Sequence, residues 1–186
     1  IDHYVPMFDK DAGSRYMLDY MKLFLKKGYN VKFLGDNFFP HQPYTKALQQ
    51  MGIEVIYGDR YAQHWKEWLK EIGADLDYVM LSRPHISVKY IDVVREVSNA
   101  KILYMGHDIH FWREEMRYEK TGDPQAQREA KKWREIELAL MHKADVTIYP
   151  SDLEVEKIRS IDPSITVRKW PLNIYDEVPN VDYESN

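Results

Sequence analysis

Short β-prone runs alternate with helix-periodic stretches along almost the whole chain, and this alternation limits the possible folds more than any other feature. Candidate strands lie at 31–34, 54–57, 78–81, 101–105, 146–149 and 166–169. Several are nearly continuous in apolar residues, the pattern of strands covered on both faces. Between them, helical spacing covers 14–27, where Met17, Met21, Phe24 and Leu25 share a face opposite Asp19, Lys22 and Lys26, and Gly28 supplies a stop. Further helices are read at 44–50, 65–72, 89–97 and 124–142. A last one spans 151–160, where Ser151 and Glu154 stand at capping-box spacing. Strand and helix in alternation, joined by short turns, predict right-handed crossovers and an α/β fold with a doubly wound, mostly parallel, Rossmann-like sheet.

In such a sheet ligands bind beyond the carboxyl ends of the strands. The chemically capable residues fall in those places. His3 follows a truncated first strand ending near Tyr4, Asp36 and Asn37 follow the second and Asp59 and Arg60 the third. Arg83 and His85 follow the fourth, His107 and Asp108 the fifth, and Ser151 the sixth. Numbering begins one residue before Asp2-His3-Tyr4-Val5-Pro6, so the reading expects most of the first strand to lie outside this stretch and the chain to be a fragment.

Composition narrows the classes of function. A length of 186 residues fits one domain or one lobe of a larger protein, and 44% hydrophobic with 30% charged residues describes a folded domain. A net charge of −4 offers neither the basic stripe that nucleic acid requires nor a polybasic membrane anchor. The chain has no cysteine, which excludes disulfides, thiolate metal sites and a thiol nucleophile, and suits a reducing cytosol. No apolar run approaches the roughly 20 residues of a membrane span, and no signal-peptide core is present. Aromatic residues make up 13% of the chain, which points to a stacking surface or to core.

Three loops carry most of the chemistry. Asp11-Ala12-Gly13-Ser14-Arg15 lacks both the lysine of a P-loop and the glycine spacing of a dinucleotide fingerprint. It does place Gly13 at a helix start whose dipole favours an anion, with Ser14 and Arg15 beside it. The plain alternative is a βα turn with a Ser cap and a surface Arg. Leu81-Ser82-Arg83-Pro84-His85 leaves a strand extended, because Pro84 disfavours helix before it, and aims Arg83 at the same crevice or into a surface salt bridge. Gly106 to Glu115 is the densest cluster. His107 and Asp108 fit a base with its orienting carboxylate, or a pair that binds a polar substrate. His107 and His110, joined by Asp2, His3 or Asp108, are a weaker fit to a metal site, and the reading assigns none. Glu114 and Glu115 point about 100° apart on a helix and so do not face each other across a substrate. The charged residues at 113–119 and 128–137 read as exposed helix faces.

Taken in order, Asp-His-Tyr-Val-Pro, Asp-Lys-Asp-Ala-Gly-Ser-Arg, Gly-Asp-Asn-Phe, Leu-Ser-Arg-Pro-His, His-Asp-Ile-His-Phe-Trp-Arg-Glu-Glu and Ala-Asp-Val-Thr-Ile-Tyr-Pro-Ser resemble the amino-terminal domain of a bacterial glycosyltransferase. The resemblance is to family 4 retaining enzymes of the GT-B fold, in particular those in large proteins that build surface polysaccharide. It covers 1–173.

The resemblance implies a Rossmann-like acceptor-side lobe at 1–175, a linker or disordered tail at 176–186, and a carboxy-terminal donor-binding lobe that this stretch lacks. Trp170-Pro171-Leu172-Asn173 resembles the junction between lobes. It implies a nucleotide-sugar co-substrate with no cofactor and no required metal, a glycan or lipid-linked acceptor, and a cytoplasmic site, peripheral at the inner membrane face in the full-length protein. Gly13, with Ser14 and Arg15, would approach the donor pyrophosphate across the cleft, with Arg83 and His3 on the same wall. His107, with Asp108, would touch the transferred sugar. Many relatives have two consecutive glycines where this chain has Ala12-Gly13. Two further readings stand beside this one: a non-catalytic glycan- or protein-binding module, and a metal-dependent hydrolase using His107, Asp108 and His110.

Overall fold

The computed structural model describes residues 1–172 and residue 174, so the expected tail and the end of the expected junction lie outside the described residues. The elements are α1 (Ala12–Lys26), β1 (Lys32–Leu34), α2 (Tyr44–Gln50), β2 (Glu54–Ile56), α3 (Asp59–Ile72), β3 (Tyr78–Ser82), α4 (Pro84–Val97), β4 (Lys101–Met105), α5 (His110–Thr121), α6 (Pro124–Lys143), β5 (Val146–Tyr149), α7 (Asp152–Ile161) and β6 (Val167–Lys169), with a 3-10 turn at Gly73–Asp75. The architecture is α/β with parallel sheets, compatible with a Rossmann-like arrangement.

β1 and β2 form one parallel pair, and β3-β4-β5-β6 form a four-stranded parallel sheet. The main chain of Ile1 and Asp2 stitches the two together. On one side the Asp2 amide donates to the Leu34 carbonyl at 3.0 Å and the Asp36 amide to the Asp2 carbonyl at 2.8 Å. On the other side the Ile1 nitrogen donates to the Met80 carbonyl at 2.8 Å, and the Ser82 amide to the Ile1 carbonyl at 3.0 Å. Ile1 and Asp2 make the first strand's segment of the row, the stub, which leaves the row by His3, short of Tyr4. The row runs β2, β1, stub, β3, β4, β5, β6.

Alternate side chains along each strand go to opposite faces. Val79, Leu81, Ile102, Tyr104 and Tyr149 bury against α3 to α7, while Met105 and Ile148 bury against Tyr16 and Tyr20 of α1. Phe33 and Val55 pack on Met17, Leu18 and Met21 of α1 and on Leu48 of α2. Side chains on both strand faces are thus buried, which is why the strands read as nearly unbroken apolar runs.

Helix starts differ from the periodic reading. α1 opens at Ala12, capped by Asp11, whose carboxylate accepts the Ser14 amide at 2.7 Å, so Ser14 lies inside the first turn instead of capping it. α3 begins at Asp59 and kinks at His64, next to where the apolar stripe begins at Trp65. α4 begins at Pro84, whose fixed φ suits a first helical turn. The capping box of Ser151 and Glu154 forms as its spacing predicts. Among the described residues no helix is long and apolar enough to cross a membrane.

One carboxylate ties β4, β5 and α4 together. Asp145 accepts the Ile102 amide at 2.8 Å, Arg95 Nη2 at 2.6 Å and Lys101 Nζ at 3.0 Å. Partial desolvation acts to raise its pKa, but these donors outweigh it and hold the carboxyl at about 2 against 3.8 ordinarily. The folded pKa is depressed, so the contribution is present above pH 3.8 and is lost as pH falls through about 2. Urea midpoints measured between pH 5 and pH 2 should fall across that window, and Asp145→Asn should lower stability at neutral pH while flattening the acid slope.

Candidate functional site

Outward from the stub, strand number rises in one direction through β1 and β2 and in the other through β3 to β6. In open α/β sheets the crevice at such a reversal, beyond the carboxyl ends, is where ligands bind. Three segments meet there: the exit from the stub at Asp2 and His3, the end of β3 at Ser82 and Arg83, and the exit from β4 at Gly106 and His107.

His107 stands at the centre. It takes a left-handed backbone with φ of 71°, uncommon for a residue with a side chain. Its Nδ1 meets the Tyr16 hydroxyl of α1, and its Nε2 lies 2.5 Å from Ser82 Oγ. Burial lowers its pKa below 6.5, and the opposing charges of Asp2, Asp108 and Asp11 do not restore it. The ring is therefore neutral at pH 7, with one nitrogen donating to a hydroxyl and the other accepting from one.

Arg83 adjoins it, also left-handed at φ 69°. Its amide donates to the Met105 carbonyl at 2.9 Å, and its Nε donates to Asp2 Oδ1 at 3.0 Å. Its guanidinium reaches toward α1, where a Cβ on Gly13 would stand 3.4 Å from Nη2. His3 Nδ1 lies 3.3 Å from His85 Nε2, so the first loop touches the start of α4.

The structure brings His3, Gly13, Arg83 and His107 to one place and leaves three expected residues outside their expected roles. Ser14 is buried and donates its hydroxyl to Asp11 Oδ2 at 2.7 Å. Arg15 pairs with Asp19 at 3.3 Å and lines a separate open groove of about 480 Å³ with Asp9, Lys10 and Asp11. Asp108 does not orient His107; its carboxylate accepts from Arg113 at 2.5 Å. The Tyr16 and Ser82 hydroxyls hold the ring instead. The phosphate-cradle reading of α1 is also weakened. Burial acts to raise the Asp11 carboxyl, but the Ser14 donors and the Arg83 charge bring it below the usual range, so an anion at this helix start meets a carboxylate.

Two helix faces read as solvated contain buried acids. Glu114 is 8% exposed and pairs with Arg117 at 3.0 Å. Glu137 is fully buried and binds the first turn of α5. Its position was detectable, because it falls four residues after Trp133 and three before Leu140 on the apolar stripe of α6. Tyr16 carried a weaker signal: it sits beside Met17 in a helix that starts at the crevice. Among the described residues, no three of His, Asp and Glu are grouped to hold a metal ion. His107 is held by hydroxyls, Asp108 by Arg113 and His110 by Glu137.

Compared with protein-family models, with curated proteins and with solved structures, the chain matches none.

Proposed function

We propose that this chain is the acceptor-side lobe of a retaining, nucleotide-sugar-dependent glycosyltransferase with a doubly wound, GT-B-type lobe, working in surface polysaccharide synthesis at the cytoplasmic membrane face. The observation that carries this reading is the neutral His107 imidazole, buried beneath a crevice at the strand-order reversal and between two hydroxyls, with the Arg83 guanidinium on Asp2 at the same strand ends. The neutral imidazole, its two nitrogens held by the Tyr16 and Ser82 hydroxyls, adds no charge next to a developing oxocarbenium, and a sugar hydroxyl would take the place of one of these two partners. A guanidinium suits a departing pyrophosphate, through bidentate charge-assisted bonds. Arg83 takes over the phosphate-facing role expected of the α1 loop, where Asp11 repels anions, and Gly13 leaves room for it. A second lobe closing on this rim would exclude water and favour transfer over hydrolysis.

The full-length polypeptide, assayed against a panel of nucleotide-sugars with lipid-linked and oligosaccharide acceptors, should transfer sugar with at least one donor. This chain alone should turn over nothing. Nucleoside diphosphates added to the ¹⁵N-labelled chain should shift amides at 82–83 and 106–108. Efficient transfer by the isolated chain would overturn the reading, as would absence of transfer by the full-length protein across the panel.

A further inference from the structure

We propose that Glu137 is a positioning residue for His107, acting through the first turn of α5; this deepens the glycosyltransferase reading and rests on it for its kinetic consequence. The argument starts from a missing cap. The first amides of a helix need acceptors, and a Ser, Thr, Asp or Asn at the N-cap is the local solution. α5 has Ile109 there, buried and with no side-chain hydrogen bond to offer. The acceptor comes from the middle of α6. Glu137 Oε1 takes the His110 amide at 3.1 Å, and Oε2 takes the Phe111 amide at 2.9 Å. Oε1 also lies 3.3 Å from His110 Nδ1, which in turn is 3.2 Å from the Asp108 carbonyl.

Burying a carboxylate is costly unless donors offset it, so a remote buried acid is an expensive way to cap a helix. What it gains over a local cap is a fixed link between α6, α5 and the loop carrying His107. That loop is pinned at its other end as well: the Gly106 amide donates to the Ile148 carbonyl at 3.3 Å, and the Arg83 amide holds the Met105 carbonyl. His107 lies between the two pins in a left-handed conformation, at φ 71°, that is unfavourable for a residue with a Cβ. If the helix-side pin is loosened, the backbone can relax to negative φ and swing the imidazole away from Tyr16 and Ser82.

The Glu137–His110 contact also sets the local charge. Burial lowers the His110 pKa, but the Glu137 hydrogen bond and the Asp108 charge reverse that and raise it overall.

The test compares Glu137→Gln, which keeps the shape but loses the charge and one acceptor, with Glu137→Asp, which keeps the charge but withdraws it. Side-chain ¹⁵N spectra of histidine in this chain report His107 directly. In Glu137→Gln the His107 ring signals should shift or broaden while amides of β3 to β5 stay in place. In the full-length enzyme kcat should fall about 100-fold with little change in KM, as expected when a reacting group is misplaced by about 1 Å. Glu137→Asp should show the same changes to a smaller degree, and it carries the comparison if Glu137→Gln does not fold. Unaltered His107 signals in a folded variant, with activity lost only in proportion to unfolded protein, would overturn the proposal. Shifted His107 signals in a full-length protein that transfers nothing would uphold the positioning role and remove the glycosyltransferase reading instead.

Discussion

Alanine at position 106 should destabilise the fold by about 3 kcal/mol, the scale of overpacking in a closed core. A Cβ there would lie 2.5 Å from Tyr149 Cε1 and 2.6 Å from both Cζ and the hydroxyl oxygen. Neither partner can give way. Tyr149 is fully buried, and the Gly106 amide is tied to the Ile148 carbonyl on the neighbouring strand. At about 2–4 °C per kcal/mol for a chain of this size, the melting temperature should drop by roughly 6–12 °C. The same displacement should reach His107, the next residue, so histidine ring signals should move even in the fraction that stays folded. A Gly106→Ala variant with the parent's midpoint would mean that the ring has room to move that the packing does not reveal.

Removing the imidazole is the second large effect. His107→Ala in the full-length protein should reduce transfer about 10²- to 10⁴-fold, the range for loss of a side chain that handles protons at a reacting centre. His107→Asn is the informative companion, because asparagine tolerates a left-handed backbone and still offers a donor and an acceptor. It should recover part of the loss. Tyr16→Phe and Ser82→Ala each remove one of the two hydroxyls that fix the ring, and each should cost less than His107→Ala. The pH dependence follows from burial, which lowers the His107 pKa below 6.5. Between 6.5 and that lower value the unfolded chain binds a proton that the folded ring refuses, so this residue's contribution to stability is lost as pH falls below 6.5. Activity that needs the neutral ring should persist further into acid than an ordinary histidine would allow. His110 acts in the opposite sense: its raised pKa gives stability below 6.5 that is lost as pH rises through the raised value. A His107→Asn variant should therefore show a shallower acid limb, what remains of it coming from His85, whose pKa burial also lowers.

What could be read from the sequence divides along the range of the interactions. The strands Lys101–Met105 and Val146–Tyr149 fall at their expected bounds because apolar runs between turn residues are local signals. The capping box at Ser151 spans four residues and is equally plain. The site depends on longer reaches. Tyr16 meets His107 across 91 residues, and no periodicity in α1 announces that contact. Asp108 reads as the partner of His107 because it is adjacent in sequence, but the His107 ring meets Tyr16 and Ser82 while the Asp108 carboxylate takes Arg113. Glu137 was assigned to solvent by its charge, although its place on the α6 stripe pointed inward. The α3 start escapes periodicity because its first turns carry exposed polar side chains, and α4 starts earlier than its periodic stretch, at Pro84, with Ile86 and Ser87 already buried.

The join that Ile1 and Asp2 make between β1 and β3 bears on how the molecule forms. Two parallel sheets become one row through a few main-chain hydrogen bonds, one of which joins residues 79 apart in sequence. Contacts that distant form late, after the entropy of closing the intervening chain has been met. Until then β1 and β3 each present an unpaired edge toward the gap, the kind of surface that recruits other strands. The seam that places Asp2 and His3 at the crevice is thus also the stage at which the folding chain is most open to mispairing.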